Sequence, residues 1–289
     1  SAVCVWHANK LRFMNLGAAP QWFSAFALLW QKVVNLKADG MMGMARTYLD
    51  EVRCRREEIL ERVDIALAHA GRCREDVKIM AVSKTVDIDA AADAVRAGYT
   101  LLGENRPQEL VRKFEGLHAI EDLPHVRLDM IGNLQKNKIN AVLGHAELIH
   151  SIESLGLARA VSERASRRIE AGELPTAQQV LLEVNVSGEE SKSGFSLEAL
   201  RACIEDLIEL PGISICGLMT MAPRGSKEVA ARTFAGLREL RDELEGLYPS
   251  LTLSELSCGM SEDFDVAIEE GSTLIRLGRV AFNPSFALQ

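Results

Sequence analysis

The amino-acid sequence predicts an α/β protein whose fold is a (β/α)8 TIM barrel with an additional N-terminal helix. Three observations lead to this prediction: short apolar runs alternate with amphipathic helical segments, eight such runs occur in a chain of 289 residues, and glycines and polar residues concentrate directly after the runs. Strands that alternate with helices pair in parallel through right-handed crossovers, and eight such units favour a closed barrel. An open, doubly wound parallel sheet is the alternative fold.

The opening helix begins near Ala45 and ends at Gly71, and its apolar residues recur at helical spacing with charged residues between them. Eight strand-like runs follow it: residues 77–83, 99–103, 126–132, 148–151, 180–186, 213–219, 251–257 and 273–277. The segments between these runs have helical periodicity: residues 87–97, 106–116, 135–143, 154–171, 196–210, 226–248 and 262–270. Residues 45–289 are therefore predicted to form one body, the barrel.

Residues 1–44 are interpreted as an N-terminal extension or leader. Residues 18–34 are apolar but contain Pro20 and Lys32, and this stretch is short for a membrane span. A signal peptide would need an uninterrupted apolar core and a small-residue cleavage site, neither of which is clear. A leader and a helix packed on the barrel fit the sequence equally well, and a helix on a membrane surface is a weaker third interpretation.

Composition and charge exclude several classes of function. The formal net charge of -8 argues against broad nucleic-acid binding, because neutralising phosphates requires a basic face. The six cysteines form no CxxC pair and the six histidines no HExxH motif, so no metal site is expected. The cysteines also lack the spacing of a disulfide framework. We therefore expect reduced thiols in a cytoplasmic protein that binds a small molecule and does not associate with membranes.

Lys84 follows the first strand-like run directly, which places its amine at the carboxyl end of a buried strand. Ligands gather at this end of the strands in parallel α/β folds, and a lysine there can act as a nucleophile toward a carbonyl group. A solvated surface lysine just past a strand is the alternative. Taken alone, the segment favours that alternative, because lysine side chains are mostly exposed.

The segments after the seventh and eighth strands are typical of an anion site. Gly259 lets the backbone approach a ligand closely, and Ser261 is predicted to cap the following helix, whose first N–H groups carry the positive end of the helix dipole. A turn glycine followed by an ordinary helix cap is the alternative interpretation. Glu262 and Asp263 lie in the same first turn and would repel a phosphate unless their side chains point away.

Arg276 lies within the last strand-like run, where an unpaired charge would be costly to bury. Either it is paired structurally with Glu255 or another carboxylate, or it faces a ligand. If that ligand were a pyridine ring, a permanently charged arginine beside the ring nitrogen would keep this nitrogen unprotonated and weaken the ring as an electron sink. No GxGxxG motif follows a strand and no P-loop motif occurs, which disfavours dinucleotide and P-loop sites.

Seven segments together resemble the pyridoxal 5'-phosphate homeostasis protein family, which is related to the N-terminal barrel of alanine racemase. They occur in the family's order from about residue 46 onward: AVSKT at 81–85, GEN at 103–105, IGNLQKNK at 131–138, EESKSG at 189–194, GLMTMAP at 217–223, GMSEDF at 259–264 and IEEGSTLIRLG at 268–278. The chain departs from the family at 128–130, where an aromatic residue and a histidine are usual, at Cys258, where Met is common, and at 279–284.

The resemblance implies that Lys84 forms an internal Schiff base with pyridoxal 5'-phosphate (PLP). It implies a further set of residues that shape the phosphate and ring site or lie near the cofactor: Asn105, Ser257, Gly259, Met260, Ser261, Arg276, Leu277 and Gly278. The function implied is that of a cytoplasmic carrier or regulator in PLP homeostasis, without an established catalytic reaction. PLP-dependent apoenzymes are the implied partners, and the resemblance favours a monomer.

Two enzymatic functions remain as alternatives. A PLP-dependent racemase of the same fold type needs a second proton donor on the opposite ring face, which alanine racemases supply from a tyrosine of a C-terminal β domain. The chain ends at Gln289 without room for that domain, and Tyr48, Tyr99 and Tyr248 are not at predicted rim positions. A Schiff-base aldolase on a similar barrel is the other alternative, but it leaves the anion loop without a role.

Overall fold

A computed structural model describes residues 47–189, 192–283 and 285–288. From Tyr48 onward these residues belong to a compact unit that spans Tyr48–Gln289. The extension assigned to residues 1–44 lies outside the described residues. None of the helices described is both long enough and apolar enough to cross a membrane.

Nine helices and eight strands alternate along the described chain. The helices are α1 Tyr48–Ala70, α2 Ile88–Arg96, α3 Pro107–His118, α4 Ile139–Val142, α5 Leu155–Glu170, α6 Leu197–Ile208, α7 Lys227–Leu247, α8 Phe264–Glu269 and α9 Arg279–Phe282. The strands are β1 Lys78–Val82, β2 Leu101–Glu104, β3 Arg127–Met130, β4 Leu148–Ile152, β5 Gln178–Glu183, β6 Ile213–Met219, β7 Glu255–Ser257 and β8 Leu274–Leu277. Short 3-10 turns cover Arg74–Asp76 and Lys136–Lys138.

The eight strands close into a parallel barrel in sequence order. Closure is made by β1 and β8, which pair over four residues from Lys78 opposite Leu274 to Ala81 opposite Leu277. The predicted (β/α)8 barrel is therefore confirmed, and the open sheet is wrong because both of its edges would have to be free. The predicted N-terminal helix is α1, which packs against α2, α8 and α9.

Side-chain caps fix where several helices begin. Asp87 accepts a hydrogen bond from the backbone N–H at the start of α2 at 2.9 Å, and Ser154, Ser196 and Ser226 do the same for α5, α6 and α7 at 3.1–3.2 Å. Pro107 occupies the first turn of α3, where a missing N–H costs nothing. These residues fix where the helices begin and therefore where the preceding loops end. The loops after the strands lie at one rim because the strands are parallel.

The observed elements differ from the predicted ones at several ends. The seventh strand is Glu255–Ser257 rather than 251–257, because the N–H of Leu253 donates to the carboxylate of Glu245 at 2.6 Å and not to a neighbouring strand. The helix predicted at 135–143 is reduced to a 3-10 turn and α4, which ends before Gly144 in the left-handed region at φ +84°. The last helix, α9, was not predicted.

The two faces of the strands bury different residues, because side chains alternate along a strand. Outward residues such as Ala81 and Ile275 join the main core between strands and helices. Inward residues form two smaller apolar clusters, one with Met80 and Leu274 and one with Leu148 and Leu181. Other inward positions of β3, β4, β7 and β8 carry polar side chains: Arg127, Asp129, His150, Ser257 and Arg276. The barrel interior is therefore not a continuous apolar core.

Candidate functional site

A cleft of about 590 Å³ opens at the carboxyl ends of the strands; we refer to it as the mouth cleft. Six of the nine predicted site residues line it: Lys84, Asn105, Met260, Ser261, Arg276 and Gly278. Ser257 and Gly259 do not line the cleft, and the side chain of Leu277 packs in the main core outside the barrel. The structure thus brings most of the predicted set together, from loops that are far apart in sequence.

Lys84 occupies a turn directly after β1, and its side chain is exposed and borders the mouth cleft. The turn is tied to the barrel because the N–H of Ser83 donates to the carbonyl of Gly103 at 3.0 Å and the N–H of Val86 returns to the carbonyl of Ser83 at 3.0 Å. The amine of Lys84 makes no hydrogen bond or ion pair within the part of the chain that the structure describes. It is therefore an accessible amine on a fixed backbone.

Beneath this turn lies a group of buried polar side chains that sequence reasoning missed, the Lys113 cluster, formed by Ser83, Glu104 and Lys113. The ammonium of Lys113 donates to the carbonyl of Ser83 and to Glu104 Oε1, and the Ser83 hydroxyl donates to the same oxygen at 2.6 Å. The Lys113 and Glu104 side chains are 0% and 1% exposed. One signal was available in the sequence: Lys113 lies on the same helical face as Leu110 and Leu117, which are buried.

Gly259 and the residues after it form a turn before α8. The φ of Gly259 is +92°, and a Cβ there would lie 2.5 Å from the Cβ of Ala267, so only glycine fits. The predicted cap by Ser261 is wrong: α8 begins at Phe264, and the Asp263 carboxylate takes the backbone N–H of Met260 at 2.6 Å. Burial raises the pKa of Asp263, and the hydrogen bond from Met260 and the charge of Arg276 oppose this shift.

Two features of the mouth cleft are suited to a ligand: an unpaired backbone N–H and an open space. The backbone N–H of Ser261 donates to no acceptor among the described residues, so it is free to bind an anion. A Cβ added at Gly278 would meet Val82 Cβ at 3.8 Å and nothing closer, so it would occupy space in the cleft. Two other cations that line the cleft are already ion-paired with carboxylates: Lys227 with Asp265 and Arg279 with Glu262.

Arg276 is 5% exposed and reaches the floor of the mouth cleft. Its Nη1 donates to the carbonyl of Ser257 at 2.7 Å and to the Ser257 hydroxyl at 2.6 Å, and Nη2 donates to the carbonyl of Thr220 at 3.0 Å. The structural pairing with Glu255 is wrong, because Glu255 is bound by Lys78 and Thr273 instead. Burial lowers the pKa of Arg276, although an arginine remains charged at neutral pH.

Glu183 ends β5 near Arg276 and is a second residue that the sequence did not single out. It is 2% exposed. Burial, together with the charge of Glu153, raises its pKa to about 7, and Arg276 opposes that shift. The positive charge of Arg276 is therefore only partly offset by this carboxyl group at neutral pH.

Below Arg276 the polar side chains continue into the barrel. His150 Nδ1 lies 3.0 Å from the Ser257 hydroxyl, and His150 Nε2 lies 3.0 Å from Asp129 Oδ2. Arg127 donates two bonds to the Asp129 carboxylate at 2.7 and 2.8 Å. Burial lowers the pKa of His150, and the hydrogen bond to Asp129 opposes this shift. The alternation of polar and apolar residues along β3 was a sequence signal for the inward direction of Arg127 and Asp129, whereas β4 has no such alternation.

The three tyrosines do not line the mouth cleft, and the described residues offer no cluster of metal ligands. Tyr48 donates to the carbonyl of Phe282 at 3.1 Å, the Tyr248 hydroxyl lies 3.3 Å from Glu205, and Tyr99 is buried beside α1. Within residues 47–189, 192–283 and 285–288, no three His, Cys, Asp or Glu side chains are grouped so that they could hold a metal ion.

Comparisons with known proteins agree with this geometry. The family model described as "Alanine racemase, N-terminal domain" matches residues 55–285. The chain is 40% identical to a pyridoxal phosphate homeostasis protein of Aquifex aeolicus, over 79% of this chain and 96% of the relative. The fold and the cleft define a barrel of the alanine racemase N-terminal type. The chain belongs to the pyridoxal phosphate homeostasis protein family.

Two solved structures are similar over most of their length. A protein of unknown function from Bifidobacterium adolescentis is 35% identical, with a TM-score of 0.74 over 83% of this chain and 97% of that protein. PipY of Synechococcus elongatus, solved with PLP bound, is 32% identical, with a TM-score of 0.68 over 80% of this chain and all of that protein (100%).

Proposed function

We propose that this protein binds PLP as a Schiff base on Lys84 and acts in intracellular PLP homeostasis as a carrier or regulator. The observation that carries the proposal is the accessible amine of Lys84 at the edge of a cleft whose floor is Arg276. A relative of the same fold, PipY, has been solved with PLP bound. PLP has three parts that a binding site can use: a pyridine ring, a phosphate group, and an aldehyde that condenses with an amine.

The residues of the mouth cleft match these three parts of PLP. Lys84 supplies the amine, the free N–H of Ser261 and the space beside Gly278 suit a phosphate, and Arg276 suits a ring nitrogen that accepts a hydrogen bond. A permanent positive charge at that nitrogen keeps it unprotonated, which makes the ring a weak electron sink. This favours storage and transfer of PLP over strong catalysis.

The proposal extends to the setting in which the protein acts. We infer a monomer in the cytoplasm that exchanges PLP with PLP-dependent apoenzymes, and the resemblance to the family supports each of these points. Transfer of PLP from the loaded protein to a PLP-free transaminase, followed by recovered transaminase activity, would test the exchange. Recovery no faster than with free PLP at the same concentration would contradict it.

The racemase alternative is separated by a different measurement. None of Tyr48, Tyr99 and Tyr248 lines the mouth cleft, so the described residues offer no tyrosine as the second proton donor. We expect no exchange of the α-proton of alanine or serine at ordinary enzyme rates. Exchange at such rates by the PLP-loaded protein would overturn the carrier function.

The experiment that tests binding is a titration of the purified protein with PLP, followed by visible absorbance before and after borohydride. We expect a Schiff-base band in the parent protein that disappears on reduction, and no such band in Lys84→Ala. Lys136→Ala is the matched control, because it removes an exposed lysine that does not line the cleft. A band of equal size in Lys84→Ala would contradict the proposal.

A further inference from the structure

Five polar side chains cross the inside of the barrel as one hydrogen-bonded series, which we name the inner chain: Arg127, Asp129, His150, Ser257 and Arg276. It starts on β3 and ends on β8 at the floor of the mouth cleft. Each link between neighbouring side chains is between 2.6 and 3.0 Å long. The side chains of Asp129 and His150 are both 0% exposed.

The positions of the protons in the inner chain follow from its hydrogen bonds. The Ser257 hydroxyl oxygen accepts from Arg276 Nη1, so its own proton is available to the other neighbour, His150 Nδ1. If Ser257 donates this proton, Nδ1 accepts and the imidazole proton lies on Nε2. Nε2 donates to Asp129, which as a carboxylate accepts from both His150 and Arg127. An imidazolium that donates from both nitrogens would satisfy the same contacts, because a hydroxyl oxygen can accept two hydrogen bonds; burial lowers the pKa of His150 and so favours the neutral imidazole.

This arrangement limits what Ser257 can do. Its hydroxyl accepts from Arg276 and donates to His150, so it has no proton left for a phosphate oxygen. Among the described residues Arg276 has no carboxylate partner; its hydrogen bonds go to the Ser257 hydroxyl and to two backbone carbonyls. The carbonyls hold the guanidinium from the backbone, and the Ser257 hydroxyl is the side-chain contact that links it to His150.

Apolar packing holds the inner chain from both sides. Met80 and Leu274 belong to one inward apolar cluster, and Leu148 and Leu181 belong to the other. The fully buried members, Asp129 and His150, cannot exchange their partners for water without opening the barrel. The inner chain is thus a fixed support and not a group of alternative contacts.

We infer that Asp129 and His150 are positioning residues for Arg276, which they hold through the Ser257 hydroxyl in the orientation that a pyridine nitrogen in the mouth cleft requires. The inference rests on the proposed function, since it assigns the PLP ring to that cleft. It assigns Ser257 a supporting role under Arg276 rather than a direct contact with the phosphate.

The proton arrangement is tested first, without any cofactor, by nitrogen NMR on protein labelled at histidine. We expect His150 to have an unprotonated Nδ1 and a protonated Nε2 at neutral pH. A proton on Nδ1, or an imidazolium with protons on both nitrogens, would overturn the inference. Because no PLP is added, this result judges the inner chain even if the proposed function fails.

The effect on Arg276 is tested by PLP binding to His150→Leu and Ser257→Ala. We expect the dissociation constant for PLP to rise about tenfold in each, the factor for one lost hydrogen bond, and the absorbance maximum of bound PLP to shift. In Ser257→Thr, which restores a hydroxyl, the maximum is expected to return. Unchanged affinity and unchanged spectrum in both His150→Leu and Ser257→Ala would refute the positioning role.

Matched controls separate positioning from a loss of packing. Ser272→Ala removes a buried serine hydroxyl that donates to backbone carbonyls, and His145→Leu removes a histidine outside the inner chain. Both are expected to keep the parent spectrum and a dissociation constant within about twofold of the parent. If His150→Leu does not fold, Asp129→Asn replaces it, with the same spectral shift expected. A shift of the same size in the two controls would contradict the inference.

Discussion

The Lys113 cluster and the inner chain both lie beneath the mouth cleft, but they compensate charge in different ways. In the Lys113 cluster one buried ion pair, Glu104 with Lys113, supports the turn that carries Lys84, and Glu104 Oε2 has no hydrogen-bond partner among the described residues. In the inner chain Arg276 is held by a hydroxyl and backbone carbonyls, and no carboxylate of the described part of the chain pairs with it. The support for Lys84 thus depends on one pair of charges, whereas the support for Arg276 is shared among several neutral acceptors.

This difference decides how each side responds to the loss of one group. Removing one member of a buried ion pair leaves an uncompensated charge, which typically costs about 3–5 kcal/mol. Removing one of several hydrogen bonds to a charged group typically costs about 1.5–3 kcal/mol. We therefore expect substitutions beneath Lys84 to lower mainly the stability of the protein, and substitutions beneath Arg276 to change mainly the geometry of the bound ligand.

The largest expected effect comes from Lys113→Met. It leaves the Glu104 carboxylate buried without its cation, so the free energy of unfolding should fall by about 3–5 kcal/mol. Denaturant unfolding of the PLP-free protein measures this change.

The double variant Glu104→Gln with Lys113→Met is the control for this first prediction. It removes both charges and keeps an acceptor for the Ser83 hydroxyl, so it should recover most of the lost stability. A double variant as unstable as Lys113→Met would mean that lost packing, and not an unpaired charge, explains the effect.

The next prediction concerns Glu183, the carboxyl group with the largest electrostatic effect on the pKa of Arg276. Its pKa is about 7 in the folded protein and 4.5 as the ordinary value, so the folded state holds more protons between these two pH values. Stability should therefore fall as the pH rises through this window, by about 3 kcal/mol in total, and then stay constant. The variant Glu183→Gln should lack this fall in stability. The difference in unfolding free energy between the variant and the parent should therefore grow, in favour of the variant, between pH 5 and pH 8.

Unfolding of the parent and of Glu183→Gln at a series of pH values measures this difference. Other groups titrate equally in both proteins, so only the difference between the two curves matters. Parallel curves would show that Glu183 is already ionised well below pH 7. In that case an ionised Glu183 would compensate the charge of Arg276, and the stated difference from the Lys113 cluster would be wrong.

The smallest effects come from a matched pair of serines, Ser83→Ala and Ser257→Ala. The Ser83 hydroxyl donates to the Glu104 carboxylate, and its loss should cost about 2 kcal/mol of unfolding free energy. The Ser257 hydroxyl accepts from the charged guanidinium of Arg276, so its loss should also cost about 2 kcal/mol, although Arg276 keeps the Ser257 carbonyl. Thermal or denaturant unfolding of the two variants measures both losses. A loss as large as that of Lys113→Met in either variant would contradict the difference between an ion pair and shared hydrogen bonds.

The fold could be predicted because its signal is local. The alternation of apolar runs and helical segments specifies each unit, and caps such as Asp87 and Ser154 specify where helices begin. The errors at element ends occurred where a side chain, and not a backbone carbonyl, takes a backbone N–H. The seventh strand is short because Glu245 takes the N–H of Leu253, and α8 starts late because Asp263 takes the N–H of Met260.

The same reason explains which site residues were found. Lys84 and Arg276 end or occupy strands, so their place at the rim follows from the strand pattern. His150 and Ser257 are 107 positions apart in sequence and meet only because the barrel closes. Their inward direction could be predicted from the alternation along each strand, but not which residue each would face. Burial, which sets the pKa of Glu183, likewise depends on the whole barrel.

The central claim is that the amine of Lys84 is the one that PLP modifies, and a peptide map of the PLP-loaded, borohydride-reduced protein tests it most directly. We expect the pyridoxyl group on the peptide that contains Lys84, at close to one group per chain. A pyridoxyl group on Lys192 or any other lysine, with Lys84 unmodified, would contradict it.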